Sequence, residues 1–280
     1  MRYTQVVAYS YIESTKRVLE DSVKYKCRFC GKIKSETDFQ KDAHAVSVCV
    51  GNETLLTKYE CDDCNEKFGT EEEQIAKLFH LYKSVRAIKK RNGMPAKYGH
   101  KVDIRNSQNG YYVYTDEFHD KYQKITMTQM SENSAKIDFT SDIVVNLQSV
   151  YRCLIKYSLS VVPESMIAGM EKGYEMLNNN IQTKVNVCYV IIMYKEIEAP
   201  NIKIHKIEDG PMPRYFAEID VFQNKYIVFL DFENDRDFIL PDLKLEWLGL
   251  DKSDFYKVIK IDYSSKEERI HQVESVSGSI

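Results

Sequence analysis

Two close cysteine pairs constrain this chain more than any other feature. Cys27-Arg28-Phe29-Cys30-Gly31 and Cys61-Asp62-Asp63-Cys64-Asn65 are CxxC steps with thirty residues between Cys30 and Cys61. A CxxC turn presents two thiolates to one ion, and two such turns complete a closed, tetrahedral zinc site. Four thiolates leave no open position for water, so zinc held there is structural. Cys49, Cys153 and Cys188 lie in apolar surroundings and read as core residues. The N-terminus, Met-Arg-Tyr-Thr-Gln-Val, lacks the apolar core of a secretion signal. Metal rather than disulfides is therefore expected, in a soluble, cytoplasmic protein. No stretch approaches the roughly 18–20 apolar residues of a membrane span.

A chain of 280 residues accommodates two domains at roughly 150 residues each. Its formal net charge is −3, so any nucleic-acid contact must come from a local basic patch. A helix is expected from about Glu71 to Arg91, capped by Thr70 with Glu73 and carrying Ile75, Leu78, Phe79, Tyr82, Val85 and Ile88 at helical spacing. Lys83, Arg86, Lys89, Lys90 and Arg91 on its second half form a candidate track for phosphates. Gly93, Pro95 and Gly99 mark a loop, and the domain boundary is placed at 95/96.

Beyond it, Tyr111–Tyr114, Lys124–Met127 and Lys136–Phe139 read as strands of a meander. A helix over about Val145–Val161 is followed by a second one opening at Pro163. Val187–Tyr194 is apolar enough for a strand buried on both faces. Arg214–Phe222 and Tyr226–Leu230 make a hairpin. The last dozen residues, rich in Ser, Glu and Lys, are expected to fray, and residues 1–24 to dock as a strand or short helix. The fold class is α+β throughout.

The residues between the pairs carry a family resemblance. Ala43-His44 is followed by Gly51-Asn52 and then by Cys61-Asp-Asp-Cys64-Asn65-Glu-Lys-Phe68-Gly69. This order and spacing over about forty residues resembles the HNH endonucleases whose ββα-metal core is bracketed by two zinc-binding CxxC pairs. The resemblance implies an N-terminal nuclease domain, residues 1–95, and a mixed α+β accessory domain, residues 96–280, for specificity, regulation or oligomerisation. It implies His44 as the general base, Asn52 as the brace that orients it, and Asn65 as a ligand of a catalytic divalent ion. An Asn oxygen at that position points to magnesium or manganese. The family often places an acidic residue or His immediately before the base; here it is Ala43, and Asp42 or Glu73 is the candidate for the missing carboxylate. The Pro and acidic residue usual after the base are replaced by Ala45-Val46-Ser47-Val48.

The expectation that follows is a metal-dependent endonuclease acting on DNA, of the kind found in bacterial restriction and anti-phage defence, as a homodimer or with a partner subunit. Cleavage of RNA by the same core is a weaker variant. The alternative from another class is a zinc-stabilised nucleic-acid- or protein-binding module whose HNH core is catalytically degenerate, which Ala43 and the missing Pro favour. A four-cysteine transcription-factor finger leaves His44, Asn52 and Asn65 without a purpose. His119, His205 and His271 form no cluster in the sequence and are assigned no function.

Overall fold

Alternating apolar and polar residues recur through long stretches of the chain, and antiparallel sheets follow from that period. The computed structural model describes residues 2–11, 15–86, 102–107, 110–115, 123–179, 187–195, 197–208, 214–230, 248, 250–251, 253 and 255–279. The strands in chain order are β1 (Tyr3–Ser10), β2 (Arg17–Leu19), β3 (Ala43–His44), β4 (Leu55–Thr57), β5 (Val102–Ser107), β6 (Gly110–Thr115) and β7 (Gln123–Ser131). They continue with β8 (Ser134–Val145), β9 (Val187–Met193), β10 (Asn201–Ile207), β11 (Tyr215–Val221), β12 (Asn224–Phe229), β13 (Phe255–Asp262) and β14 (Glu268–Ser279). The helices are α1 (Asp62–Leu78), α2 (His80–Val85), α3 (Leu147–Val161) and α4 (Glu171–Asn179). The architecture is mixed α+β, with several sheets and a four-cysteine cluster.

The chain groups into two compact units, Met1–Glu72 with Gln148–Ser265, and Glu73–Leu147 with Lys266–Ile280. The boundary expected at 95/96 lies outside the described residues.

The first unit is built on a six-stranded antiparallel sheet of order β1-β10-β11-β12-β9-β13. The apolar run from Val187 is β9, an interior strand with Cys188 and Val190 buried on one face and Tyr189 and Ile191 on the other. The expected hairpin is β11–β12. Within residues 1–24, Tyr3–Ser10 forms the edge strand β1, paired from Tyr3 opposite Ile207 to Ser10 opposite Asn201. Helix α3 is buried over most of its surface, with Val150, Leu154, Ile155, Tyr157 and Leu159 inaccessible to solvent and Lys156, Ser158 and Ser160 buried beside them. Pro163 does not open the next helix. It is extended (φ −58°, ψ 146°), and the chain makes a 3-10 turn over Glu164–Gly169 before α4 begins. Cys153 and Cys188 are buried, as core thiols should be, while Cys49 is half-buried with its sulfur 4.0 Å from the Glu72 carbonyl.

The second unit holds a three-stranded sheet of order β14-β8-β7 and the separate hairpin β5–β6, so the expected meander is divided between two sheets. Leu81 and Val85 of α2 pack with Phe139, Ile125, Ile137 and Val276. The C-terminal residues do not fray: β14 pairs with β8 over its whole length, from Glu268 opposite Val145 to Ser279 opposite Ser134. Its inward positions Ile270, Gln272, Glu274 and Val276 alternate with exposed ones. Two of the four are polar, which hid the period. Gln272 Nε2 donates to the carbonyl of Leu78, the last residue of α1, and so caps an orphan helix-end acceptor.

Helix α1 also departs from expectation. It starts at Asp62, not near Glu71, so Thr70 is no cap; its hydroxyl donates to the Lys67 carbonyl within the helix. The expected single helix is interrupted at Phe79, where α2 takes over as a separate short helix to Val85, and residues 87–91 lie outside the described residues.

Candidate functional site

The first cysteine pair sits on a tight reversal. Gly31 adopts φ +76°, its N–H donates to the Cys27 carbonyl at 2.9 Å, and Cys27 N–H donates to Lys32 O at 2.8 Å. Only a residue without Cβ enters that left-handed region freely. The second pair straddles the start of α1, where the N-terminal end of the helix favours thiolate. The four sulfurs lie within 4.8 Å of one another. Without a cation this cluster holds one thiolate comfortably: a hydrogen bond from the Cys64 thiol, with the N–H groups of Cys30, Cys61 and Phe29, holds Cys27 at about 5 against the effect of burial. Burial and the Cys27 charge push Cys30 up to about 11. Its hydrogen bond to Cys27, burial and its charged neighbours raise Cys64 far above the ordinary thiol value. A divalent cation removes that repulsion, and four soft sulfurs in a closed cluster fit structural zinc.

The two residues inside the first CxxC anchor it. Arg28 Nε donates to Asp21 at 2.7 Å and Nη1 to the Val162 carbonyl at 2.7 Å, while its guanidinium lies 3.6 Å from the Tyr59 ring centroid. Tyr59 in turn donates its hydroxyl to Ser160 O. Phe29 is buried edge-on against Phe68 of α1 (4.9 Å) and Tyr174 of α4 (5.6 Å). The knuckle is thereby fixed to three helices. At the far end of α4, Lys67 and Arg152 donate to the carbonyls of Met176, Leu177 and Asn178, satisfying helix-end acceptors with cations.

β3 and β4, which lie between the cysteine pairs, join β2 in a small sheet of order β2-β4-β3. His44 lies opposite Leu56, and Ala43 opposite Thr57. Ala43 is buried, so a carboxylate at that position would lie in the core; the half-buried His44 takes the outward position. The loop between β3 and β4 explains the Gly51-Asn52 step. Ser47 caps a 3-10 turn over Val48–Val50, accepting from Cys49 N, and Gly51 closes it at φ +103°. Asn52 is fully buried. Its amide nitrogen donates to Val46 O (2.6 Å) and Leu55 O (2.9 Å), and its oxygen accepts from Thr54 N (3.0 Å) and Leu55 N (2.8 Å). Asn52→Ala is expected to lower stability by about 3 kcal/mol, since it strands buried backbone groups. Asn52→Asp, although isosteric, should cost at least as much, because a carboxylate would face two carbonyls. Urea unfolding of both variants checks this; an Asp variant within 1 kcal/mol of wild type would refute the brace.

The segment that leads into β3 is stitched to the first turn of α1. The Asp62 carboxylate accepts from the N–H groups of Gln40 (3.1 Å) and Lys41 (3.0 Å), and Lys41 Nζ lies 3.3 Å from Glu66. Asn65 is half-buried in that same turn, its N–H donating to Cys61 O. Asp42 is shared by Lys58 (3.4 Å) and Lys16 (3.9 Å). Glu73 is exposed and eight residues beyond Asn65, roughly 12 Å along a helix axis. The four cysteines are the group of three or more His, Cys, Asp or Glu side chains able to share an ion among the described residues. Of the basic track, Lys83 and Arg86 are half-buried, and Arg86 offsets the burial that raises Glu274 above the usual carboxylate range. Lys89, Lys90 and Arg91 lie outside the described residues.

A buried charge cluster at the site was not anticipated. Lys156, in the middle of α3, is 1% exposed. Its ammonium donates to the His44 carbonyl at 2.8 Å and lies 3.2 Å from Glu60 and 3.6 Å from Glu72. Glu60 is itself 2% exposed; burial, only partly offset by Lys156, raises it to about 7. The signal in the sequence was a single Lys among Leu154, Ile155, Tyr157 and Leu159.

Comparison with protein-family models, with curated proteins and with solved structures returned no match. Among the described residues no helix is long and apolar enough to cross a membrane.

Proposed function

We propose that the chain is a metal-dependent endonuclease acting on DNA, with His44 as general base and the four-cysteine cluster holding structural zinc. The observation that carries this reading is the order β3, braced loop, β4 between the two cysteine pairs, followed by α1: His44 on the outward side of β3, Asn52 tying the loop, and Asn65 in the first turn of the helix that is stitched to the segment leading into β3. An imidazole on a rigid strand is suited to take the proton of an attacking water. Asn52 and the Lys156 bond to the His44 carbonyl fix the backbone that carries it.

Asn65 is the residue that would hold a catalytic magnesium or manganese ion. Such ions keep several waters and take further oxygens from substrate phosphate, and the bound ion would supply charge stabilisation at the phosphate. Restriction or phage defence is the role that the resemblance attaches to this chemistry.

The second reading, a zinc-stabilised binding module with a degenerate core, is favoured by buried Ala43 and by the engagement of Asp42 with two lysines. Plasmid cleavage by purified protein with magnesium or manganese separates the two. Wild type should nick or cut, and His44→Ala should reduce the rate at least about 100-fold with zinc content and unfolding midpoint unchanged. Absence of cleavage by a folded, zinc-loaded wild type would favour the binding module.

A further inference from the structure

A cleft of about 130 Å³ opens beside the zinc knuckle, lined by Glu20, Lys24, Tyr25, Phe39, Lys58 and Tyr59. It lies at the end of the small sheet where β2 and β4 finish and β3 begins, since its lining follows Leu19 and Thr57 and precedes Ala43. Pockets for drug-sized ligands start near 300 Å³, so this cleft takes one flat ring system. Its wall offers aromatic surface: Tyr25 is 42% exposed as a residue, and its ring meets Phe39 edge-on at 5.8 Å. Ammonium groups surround it. Lys34 Nζ sits 4.4 Å from the Tyr25 centroid, and Lys24 and Lys58 are in the lining. The lining also holds two acids, Asp21, which is paired with Arg28, and Glu20.

Tyr25 also occupies a conformation that aromatic residues avoid. Its φ is +57°, in the left-handed region that Gly or Asn enters at lower cost. A backbone outlier holding an exposed ring at the mouth of a cleft is strain of the kind found at binding sites. Lys58 links the cleft to the proposed base: its ammonium reaches Asp42, two residues before His44 in the chain.

We propose that this cleft binds one unpaired nucleobase of single-stranded DNA, stacked on Tyr25 beside Phe39, with the flanking phosphates on Lys24, Lys34 and Lys58. Planar ring surface with interleaved cations is the arrangement that holds single strands without reading their sequence. The inference rests on the nuclease reading for its place in function and deepens it: the substrate would be a strand with unpaired bases near the cut.

The test is the anisotropy of a dye-labelled eight-nucleotide thymidine oligomer, and of the same backbone with abasic sites, titrated with the full zinc-loaded chain without added magnesium. The normal oligomer should bind at least about tenfold more tightly than the abasic one, and Tyr25→Asn should remove that advantage. Because Asn suits the backbone at this position, the variant should keep its zinc and show an unchanged or raised unfolding midpoint. Equal binding of the two oligomers, or a Tyr25→Asn variant that binds as wild type, overturns the proposal. So does a loss of binding that tracks lost zinc or a lowered midpoint, which would assign the ring to packing of its own loop. Base-dependent binding with no cleavage under magnesium or manganese keeps this site and removes the nuclease reading. Cleavage with base-independent binding does the reverse.

Discussion

Cys27→Ser is expected to release the metal, to unfold the segment from Asp21 to Gln40 and to loosen the start of α1. That segment has little else to organise it: its backbone pairing between Lys26 and Ile33 is an isolated bridge, and Val23, Tyr25 and Ile33 are exposed. Phe29 and Arg28 are buried anchors, but two side chains do not offset the chain entropy of some twenty residues at about 1–2 kcal/mol each. Structural zinc contributes roughly 10–16 kcal/mol in small cysteine sites at neutral pH, comparable with the whole stability of a domain at about 5–15 kcal/mol. Cys27 is the informative choice because its thiol is the one that its neighbours in the cluster hold low, at about 5. Atomic absorption should find one zinc per wild-type chain and less than a tenth of that in the variant. Hydrogen exchange should show lost protection in both CxxC segments and at the start of α1. A wild-type chain purified without zinc, or a variant that keeps its metal, would sink the assignment.

The second large effect belongs to Lys156. Removing its ammonium leaves Glu60 fully buried without a cation, whereas Glu72 reaches solvent. Deleting one partner of a buried pair costs about 3–5 kcal/mol, while replacing the whole pair by neutral groups is often without cost. Lys156→Met should therefore destabilise by about 3–5 kcal/mol at pH 8, and adding Glu60→Gln should restore most of that. A remainder of about 1 kcal/mol is expected from the His44 carbonyl, which loses its donor.

The pH dependence has a definite sign. Glu60 is raised from 4.5 to about 7 in the folded chain, so between these values the folded state holds a proton that the unfolded state has lost. Stability from this group is complete below about 4.5 and falls as pH rises to about 7. Glu60→Gln lacks that loss, so its stability relative to wild type should rise by about 3 kcal/mol from pH 4.5 to pH 8. Comparing the two proteins at saturating zinc cancels the titration of the thiols. Parallel stability curves for the two, or a Lys156→Met variant within 1 kcal/mol of wild type, would show that the cluster carries no such strain.

Several features of the site were legible because local chemistry enforces them. The CxxC spacing implied a shared ion, and the four sulfurs do converge. Gly51 and Asn52 serve a positive φ and a backbone brace, demands that few other residues meet at those two positions. The apolar run from Val187 declared itself as a strand because burial on both faces leaves little room for polar side chains, and the hairpin after Tyr215 did so although Glu218, Asp220 and Lys225 are buried in it as an ion-paired group.

What the sequence concealed depends on partners distant in the chain. Gln272 and Glu274 lie on the inward face of β14, where Gln272 caps the end of α1 and Arg86 acts on Glu274. Polar residues with polar partners erase the alternation that marks a strand. Asp62 opens α1 because its carboxylate is answered by the backbone of Gln40 and Lys41, not because of any pattern within the helix. Lys156 reads as a lone lysine among apolar neighbours until β3, Glu60 and Glu72 are folded around it. The sequence by itself determined the residues whose own backbone or ligand chemistry admits no substitute. Tertiary structure decided every group whose charge or hydrogen bond is satisfied from elsewhere in the chain, because desolvation makes such a group tolerable only once its partner has arrived.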